Sequence, residues 1–466
     1  MNIKKIVEKV SPNTQEKKQV KEVKLKIERA LCKIVKKYTL IDRYVFAGSF
    51  AKNTWIAGHN EFDVFLVFSK KANIIQLEKQ GLDCGKKLAV ALKGKQHLVY
   101  ASHPYSLITL PNRFSLDLVP CYAVNNSEKI ISAVDRSPLH VDFVKKAIHK
   151  NPQIVVEIRL LKQFLKRFDL YGADDVVQGF SGYLAELLII YYKTFEKTIK
   201  NFAKWRGKEH ICFGSNKQKK QIAQKKYFGS APFVVIDPTD ENRNVAANVS
   251  KEVFDKFVLY SNLYLTAPKN QKEAYFFKKI PYLKNLKTII KQRKTSWVFL
   301  KIDLSKESLQ INIVPKIRRL LKGIERTLNS FEFTCLNSWF FVEKKQAVLA
   351  FEFPSTTLSF FERKIGPQLY NHQHLLVFLN QHKDAMRFYT QDSRICADVA
   401  RSHSDALLLI TLLLQQKKVG MNASLAEAIN TRRFGFVKFS QLTKHCRESL
   451  ADVLSDKFED LYLFPD

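Results

Sequence analysis

Two carboxylates that alternate with apolar residues place the strongest constraint on the fold of this chain. In residues 61–68, Glu61 and Asp63 alternate with Phe62 and Val64. This pattern predicts a strand, and side chains two positions apart in a strand share one face with their Cα atoms about 6.5–7 Å apart. Like charges at that separation repel unless a cation lies between them. The sequence therefore predicts a sheet with two acids on one face and an apolar core on the other.

A third acid and a glycine-serine turn accompany this pair. Asp117 alternates with apolar residues in another predicted strand, and Gly48-Ser49 ends a strand with eleven residues between Ser49 and Glu61. Glycine permits a close backbone approach, and backbone N–H groups with a hydroxyl suit an anion. Mg²⁺ is often held by one or two carboxylates plus substrate phosphates. An acid-x-acid pair alone favours the polar face of an exposed strand, but this combination indicates metal-assisted nucleotidyl transfer.

The net charge narrows the class of partner. The 466 residues include 77 Lys or Arg and 44 Asp or Glu, a formal charge of +33, which predicts nucleic acid first and an anionic membrane second. No stretch approaches the roughly 18–20 apolar residues that span a bilayer, so we expect no membrane insertion. The N-terminus lacks an apolar signal core, and the seven cysteines form no Cys-x-x-Cys pair. We expect a cytoplasmic protein with reduced thiols and no structural metal.

Changes in periodicity divide the chain into three parts. Residues 11–37 predict an amphipathic helix with Ser11 as N-cap, and residues 43–135 alternate between strand and helix patterns. Residues 141–265 are predicted to be mostly helical, with one helix over 181–205, and an α+β pattern returns beyond them. The fold class is therefore α+β and multidomain. The predicted domains are 1–140, 141–265 and 266–466.

The wider pattern resembles one enzyme family. Gly48-Ser49 followed by Glu61-x-Asp63 is similar to the motif of the DNA polymerase β nucleotidyltransferase superfamily. The whole set resembles its archaeal, class I CCA-adding enzymes, which are tRNA nucleotidyltransferases. The resemblance extends from about residue 20 to 410 and weakens after 265. The matching stretches include 48–55, 61–68, 103–105, 117–122, 159–162, 171–173, 179–188, 237–250 and 366–368.

The resemblance implies a fold and a reaction. The fold would combine a polymerase-β-type catalytic sheet with helices, a helical central domain for base recognition and an α+β C-terminal region that binds RNA. The reaction would add C, C and A to the 3′ end of tRNA from CTP and ATP without a template. Glu61, Asp63 and Asp117 would bind two Mg²⁺ ions. One ion would lower the pKa of the attacking hydroxyl, and the other would stabilise the departing pyrophosphate.

The resemblance also implies the ligands of the nucleotide and the tRNA. Arg243 matches an arginine that helps to select the base, because its planar fork satisfies acceptors on cytosine or adenine. The tRNA would be held at its acceptor stem and TψC arm by shape and phosphate contacts. The residues that match triphosphate ligands are Ser49, Lys162 and Tyr171, with His140 nearby and Lys52 as a further positive charge.

Other functions and interpretations stay open at this point. A poly(A) polymerase or terminal uridylyltransferase would share the three acids but extend many RNAs, and an inactive RNA-binding relative would have little reason to keep them. Arg243 and its asparagine-rich neighbours favour CCA addition. The sequence does not give the oligomeric state, so a homodimer is one alternative. Tyr183 and the apolar stripe 184–192 are predicted to be helix core, and Cys121 a small buried residue.

Overall fold

The structure is a computed structural model that describes most of the chain. The chain divides into two compact units, Met1–Ile280 with Lys457–Asp466, and Pro281–Asp456. Within the described part, every helix is too short or too polar to cross a membrane. The described residues are 3–100, 103–123, 133–174, 177–206, 210–214, 231–277, 286–304, 313–343, 346–416, 419, 426 and 433–454.

A mixed five-stranded sheet forms the first part of the first unit. Its strands are β1 (Ile41–Ala47), β2 (Glu61–Phe68), β3 (Lys95–Tyr100), β4 (Pro104–Thr109) and β5 (Ser115–Tyr122). Their order in space is β1-β2-β5-β4-β3, with β2 parallel to β5 and the other neighbours antiparallel. The sequence predicted strands in three of these places, and the structure confirms them. The parallel pair lies in the middle of the sheet.

The two faces of this sheet have different coverings. Phe62 and Leu118 point towards a core built with two helices and are fully buried. Phe65, Cys121 and Val141 form a smaller buried cluster on the opposite face, as predicted for Cys121. Glu61, Asp63 and Asp117 share this second face, because their positions alternate with those of the first core. The helices of this region are α1 (Ile3–Val10), α2 (Thr14–Val35), α3 (Gly48–Ala51) and α4 (Ile74–Ala91).

The N-terminal segment forms two helices, and the prediction of Ser11 as N-cap is wrong. The cap of α2 is Asn13, whose side chain accepts a bond from Glu16 N (2.9 Å). The Glu16 carboxylate in turn accepts a bond from Asn13 N (2.8 Å). This reciprocal capping box satisfies two backbone N–H groups, which a cap at Ser11 would leave unpaired.

The remainder of the first unit is mostly helical, as predicted. The helix expected over 181–205 is divided, because Lys193 has a φ of 76° and Thr194 starts a new helix by accepting a bond from Lys197 N (3.1 Å). A small sheet in the order β6-β7-β8 was not predicted; it comprises β6 (His210–Ile211), β7 (Val234–Asp237) and β8 (Asp240–Asn244). The helices are α5 (Ser137–Lys150), α6 (Ile154–Arg167), α7 (Gly182–Tyr192), α8 (Phe195–Ala203) and α9 (Lys251–Thr266).

The second unit has the predicted α+β character. One sheet has the order β10-β11-β9-β15, and a second has the order β12-β14-β13. Their strands are β9 (Ser296–Asp303), β10 (Asn337–Glu343), β11 (Gln346–Phe353), β12 (Phe361–Gln368), β13 (Arg387–Gln391), β14 (Arg394–Ala400) and β15 (Phe434–Val437). The helices are α10 (Leu286–Arg293), α11 (Ile313–Ser330), α12 (His372–Gln381), α13 (Ala406–Gln415) and α14 (Lys444–Leu454).

Candidate active site

Two of the predicted acids are direct neighbours across the parallel strand pair. Asp63 on β2 and Asp117 on β5 are register partners, so both carboxylates lie on one face of strands about 4.8 Å apart. Glu61 precedes them on the same face and is exposed. Burial and repulsion by Glu61 raise the pKa of Asp63 to about 6. Burial and repulsion by Asp63 and Glu61 raise the pKa of Asp117 to about 7. The cluster thus carries negative charge that the protein does not fully compensate.

The turn after β1 is built against Asp63. Gly48 has a φ of 62°, in the left-handed region, and a Cβ at this position would overlap Asp63 Oδ2. Glycine is therefore required both by the backbone conformation and by the contact with the carboxylate. The next residue, Ser49, has a buried hydroxyl oxygen with no hydrogen-bond partner among the described residues. An unpaired buried hydroxyl is costly, so this position favours a ligand with oxygen acceptors.

Both predicted lysines converge on a buried glutamate within the 184–192 stripe. Glu186 is fully buried and accepts hydrogen bonds from Lys52 Nζ (2.5 Å), Lys162 Nζ (2.9 Å) and Thr54 Oγ1 (2.5 Å). Lys52 and Lys162 are only 8% and 2% exposed. Although burial opposes it, the charges of Lys162 and Lys52 lower the pKa of Glu186 to about 2. The prediction of this stripe as helix core is therefore incomplete, and the one acid among apolar residues was the available signal.

A buried arginine braces the loop that carries Lys52 and Thr54. Arg159 of α6 donates hydrogen bonds to Trp55 O (2.8 Å) and Asn53 O (2.9 Å). Asn53 itself has a φ of 56°, a conformation that few residues other than glycine adopt readily. The loop backbone is thus fixed by the same helix that carries Lys162.

Tyr171 lies beside the start of α7. A Cβ at Gly182 would be 2.8 Å from the Tyr171 hydroxyl oxygen and 3.9 Å from Lys162 Cε, so the phenol and this lysine flank one glycine. The ammonium of Lys166 lies 5.3 Å from the centre of the Tyr171 ring. Burial raises the pKa of Tyr171 well above its usual range. The hydroxyl therefore stays protonated and can donate a hydrogen bond to an anion.

His140 and Arg243 meet at a second buried carboxylate, Asp237 at the end of β7. Asp237 Oδ2 accepts a hydrogen bond from Arg243 Nη1 (2.7 Å) and lies 2.9 Å from His140 Nε2. Its Oδ1 accepts bonds from the Tyr183 hydroxyl (3.2 Å), Thr239 N (2.9 Å) and Thr239 Oγ1 (2.7 Å). The rings of Tyr183 and His140 stack with centroids 3.9 Å apart and planes at 17°. One carboxylate thus holds three functional side chains in place.

This second network changes the interpretation of three residues. Tyr183 packs on the core but also contacts His140 and Asp237, so it is more than a core residue. Arg243 lies on β8 and borders the network through its guanidinium. Although burial opposes it, hydrogen bonds from His140 and Thr239 hold the pKa of Asp237 below its usual range. Burial lowers the pKa of His140. In the sequence, Asp237 stands at the end of an apolar run and begins the matching stretch 237–250, but the resemblance implies no role for it.

A cleft of about 790 Å³ opens beside Arg243. Its lining also includes Ser181, Asn242 and Asn248, whose hydroxyl and amide groups can donate and accept hydrogen bonds. Arg136 lines the cleft as well and is held by an ion pair with Asp240 (2.8 Å). The cleft therefore offers a polar surface at the position predicted for base selection.

Tyr105 is a further residue at the acids that the sequence analysis did not assign. Tyr105 lies two positions from Leu107, the register partner of Asp117, so its side chain shares a sheet face with that acid. Burial and the charges of Asp117 and Glu61 raise the pKa of Tyr105 to about 12. Two residues earlier, His103 has a buried Nε2 that lacks a hydrogen-bond partner among the described residues. The stretch 103–105 thus reaches the acidic face from a neighbouring strand.

The donor set at the acids fits a divalent cation. Across the described part of the chain, no group of three or more His, Cys, Asp or Glu side chains is placed to hold a metal ion by itself. Mg²⁺ usually keeps several waters and takes substrate phosphates as ligands, so such a carboxylate site is complete only with a nucleotide. Asp63 and Asp117 fit this kind of site, because both present hard oxygen donors with unrelieved negative charge.

Comparison with known proteins adds the family. One family model, described as "tRNA nucleotidyltransferase, second domain", matches residues 156–277, and another, "CCA-adding enzyme, C-terminal domain", matches 296–434. The CCA-adding enzyme of Methanocaldococcus jannaschii is 31% identical over 450 residues, covering 95% of this chain and 96% of that protein. This chain belongs to the CCA-adding enzymes. The CCA-adding enzyme of Archaeoglobus fulgidus is 33% identical over 396 residues, or 84% of each chain.

The relatives named in this comparison are archaeal, in line with the resemblance to the archaeal class. The protein from Methanococcus maripaludis is 31% identical over 417 residues, covering 88% of this chain and 90% of the relative. Among solved structures, E. coli MS115-1 CdnC with ATP gives a TM-score of 0.44 at 18% identity, over 59% of this chain and 90% of that one. At this TM-score the likeness carries no functional conclusion. Enzymes of the nucleotidyltransferase superfamily generally use divalent metal ions.

Proposed function

We propose that this protein adds C, C and A in turn to the 3′ end of tRNA, using CTP and ATP without a template and releasing pyrophosphate. The observation that carries the proposal is the pairing of Asp63 with Asp117 on one sheet face of a CCA-adding family member. A soluble tRNA substrate predicts a cytoplasmic location. Glu61 supplies the third carboxylate on that face.

The proposed contacts to the nucleotide come from residues on several helices, strands and loops. Support for a triphosphate site comes from the unpaired Ser49 hydroxyl, the protonated Tyr171 phenol and the lysine pair at Glu186. Support for base selection comes from Arg243, whose guanidinium is fixed on one side by Asp237 and borders the polar cleft. The proposed triphosphate ligands are Ser49, Lys52, His140, Lys162 and Tyr171.

The three acids would position the attacking 3′-hydroxyl and the triphosphate through the metal ions that they bind. Glu61, Asp63 and Asp117 would bind two Mg²⁺ ions, which when bound lower the pKa of the attacking 3′-hydroxyl and stabilise the departing pyrophosphate. The side chain of Tyr105 lies on the same sheet face as Asp117. Gly48 allows Asp63 to lie directly against the turn that carries Ser49. The chain thus places carboxylates and a phosphate ligand on neighbouring backbone segments.

The domain division assigns these roles to parts of the chain. We propose that residues 1–140 form the catalytic domain, 141–265 the central domain for base recognition, and 266–466 the tRNA-binding region. The C-terminal region would hold the acceptor stem and TψC arm, and the charge of +33 supports phosphate contacts.

The test is extension of a tRNA transcript that ends at the discriminator base, with Mg²⁺, CTP and ATP, resolved at single-nucleotide length. We expect three added residues with both nucleotides and two with CTP alone. Long A or U ladders, or equal extension of unstructured RNA, would instead indicate a poly(A) polymerase or terminal uridylyltransferase.

The Asp117→Ala variant tests the role of the acids. Loss of this carboxylate removes a proposed metal ligand, so we expect extension to fall by at least about 10³-fold while tRNA affinity changes little. Extension and a filter-binding titration on the same preparation measure the two quantities. Retained turnover in this variant would contradict the assignment of Asp117 as a metal ligand. If the wild-type protein binds tRNA tightly but does not extend it, the protein is instead an inactive RNA-binding relative.

A further inference from the structure

We infer that Glu186 is a positioning residue for the triphosphate. Its buried carboxylate sets the direction of the Lys52 and Lys162 ammonium groups and holds the loop that carries Lys52 and Thr54. The inference rests on the proposed function of these lysines. It adds a residue that acts through others and does not touch the nucleotide.

Burial of the charged Glu186 side chain costs free energy, because the carboxylate loses its hydration. Every other buried residue of α7 is apolar, and Glu186 has no exposed surface. A buried ion pair contributes little net stability compared with apolar residues of the same size, because both charges lose their hydration. A leucine here would extend the apolar stripe without that cost. The charge is therefore better explained by what it does to its partners.

A count of N–H donors shows how the carboxylate treats the two lysines differently. Lys162 Nζ contacts Glu186 Oε1 (2.9 Å), Thr54 Oγ1 (3.1 Å) and Thr54 O (3.3 Å), which uses its three donors. Among the described residues, Lys52 Nζ has one such acceptor, Glu186 Oε2 (2.5 Å), which leaves two of its donors for a ligand. In this arrangement Lys162 acts on the triphosphate through its positive charge, while Lys52 keeps N–H donors for direct contact with a phosphate oxygen.

The same carboxylate reaches the glycine-serine turn through Thr54. The Thr54 hydroxyl donates to Glu186 Oε1 (2.5 Å), and the Thr54 N–H donates to Ser49 O (3.0 Å). Two bonds thus connect α7 to the residue with the unpaired hydroxyl, across 132 positions between Thr54 and Glu186. Two ammonium groups and one carboxylate leave a single net positive charge. Without Glu186 the two lysines would repel each other in a buried space.

The experiment compares Glu186→Gln with a matched change elsewhere. Glutamine keeps the size of the side chain but can accept at only one of its two terminal atoms, so Lys52 or the Lys162–Thr54 pair loses its acceptor. We expect kcat/KM for both CTP and ATP to fall roughly 10- to 100-fold. The inhibition constant for inorganic triphosphate should rise by a similar factor, while tRNA affinity stays unchanged.

The control is Glu352→Gln in the second unit. Glu352 is also fully buried and accepts bonds from Arg293 Nε (2.6 Å), Arg293 Nη2 (3.0 Å) and Thr295 Oγ1 (2.6 Å). This variant should lose thermal stability but keep the wild-type kinetic constants and triphosphate inhibition. A second test variant, Glu186→Asp, retains the charge and shortens its reach. We expect kcat/KM to fall in this variant as well. If Glu186→Gln does not fold, Glu186→Asp tests the positioning role in its place.

Two results would overturn the inference. One is a folded Glu186→Gln or Glu186→Asp protein with wild-type kcat/KM and triphosphate inhibition. The other is an equal kinetic loss in Glu352→Gln, which would indicate a general effect of stability. Binding of inorganic triphosphate, followed by thermal shift, needs no tRNA. A wild-type protein that fails to add CCA yet binds triphosphate more tightly than Glu186→Gln would therefore refute the proposed function and still support the role of Glu186.

Discussion

At the scale of single residues, Asp237 is a buried carboxylate that holds Arg243, the side chain proposed to select the base. Its two oxygens contact Arg243, His140, Tyr183 and Thr239, and it has no exposed surface. Arg243 keeps about a third of its side chain exposed, so part of its guanidinium remains available beside the cleft. A fixed fork presents its donors in one direction, which is the property that base discrimination needs.

We expect Asp237→Asn to weaken the choice between CTP and ATP. The amide nitrogen cannot accept hydrogen bonds, so Arg243 or the Thr239 and Tyr183 donors lose their partner. Loss of such a charged hydrogen bond predicts a rise of roughly tenfold in misincorporation at each step. Single-turnover addition of each nucleotide to tRNA ending in C or CC measures this.

The control for this variant is Asp240→Asn, which removes the ion pair to Arg136 but no bond to Arg243. We expect it to keep its nucleotide choice. Altered choice in Arg243→Ala together with normal choice in Asp237→Asn would show that Arg243 acts without this support.

The sequence analysis singled out the three acids from a local pattern and missed the two buried carboxylates, Glu186 and Asp237, whose partners are distant in the chain. Glu61, Asp63 and Asp117 stand out in the sequence because their alternation with apolar neighbours marks one strand face. Glu186 was interpreted as core because its partner Lys52 is 134 positions away. The pairing of His140 with Asp237 likewise spans 97 positions. No pattern along a single chain encodes such contacts before the fold is known.

At the scale of elements, the junction of β1 with α3 is constrained both in backbone conformation and in the space available for a side chain. Its first residue adopts a left-handed conformation and lies against a carboxylate on β2. Propensity and periodicity predict where strands and helices occur, as they did for β2, β5 and α4. They predicted the breaks less well, because the cap at Asn13 and the interruption at Lys193 depend on individual hydrogen bonds.

We expect Gly48→Ala to lower both stability and activity. A left-handed conformation costs a non-glycine residue roughly 1–2 kcal/mol, and the added methyl group would displace Asp63 as well. The free energy of unfolding should fall by about 2 kcal/mol or more, and kcat by more than tenfold. Urea denaturation and single-nucleotide extension measure the two effects.

Gly58→Ala provides the comparison, since Gly58 has a φ of 79° but no atom within 4 Å of an added Cβ. This variant should show the conformational cost alone and keep kcat. Equal losses of activity in the two variants would refute a specific contact between Gly48 and Asp63.

At the scale of the whole molecule, the charge of +33 belongs to the chain as a whole and bears on RNA binding. Phosphate contacts release counterions, so affinity should depend steeply on salt. A chain with this excess of Lys and Arg has enough cations for several such contacts, although the individual residues are not specified by charge alone.

We expect the tRNA dissociation constant to rise about 10³-fold or more between 50 and 200 mM salt, as for a protein with six or more phosphate contacts. Filter binding of an unmodified tRNA across that range measures the slope. The binding of CTP alone, measured in parallel by calorimetry, should change less. A nearly flat dependence for tRNA would contradict a binding mode based on phosphates.

The parallel pairing of β2 with β5 also governs the order in which the catalytic sheet can fold. β3, β4 and β5 are consecutive antiparallel neighbours and can associate through short loops, whereas β2 must pair with a strand that follows two others in the chain. Closing the longer loop costs more entropy, so this contact is expected to form late. Asp63 and Asp117 therefore come together in one of the last steps, and a nascent chain has no catalytic centre until its fifth strand has been made.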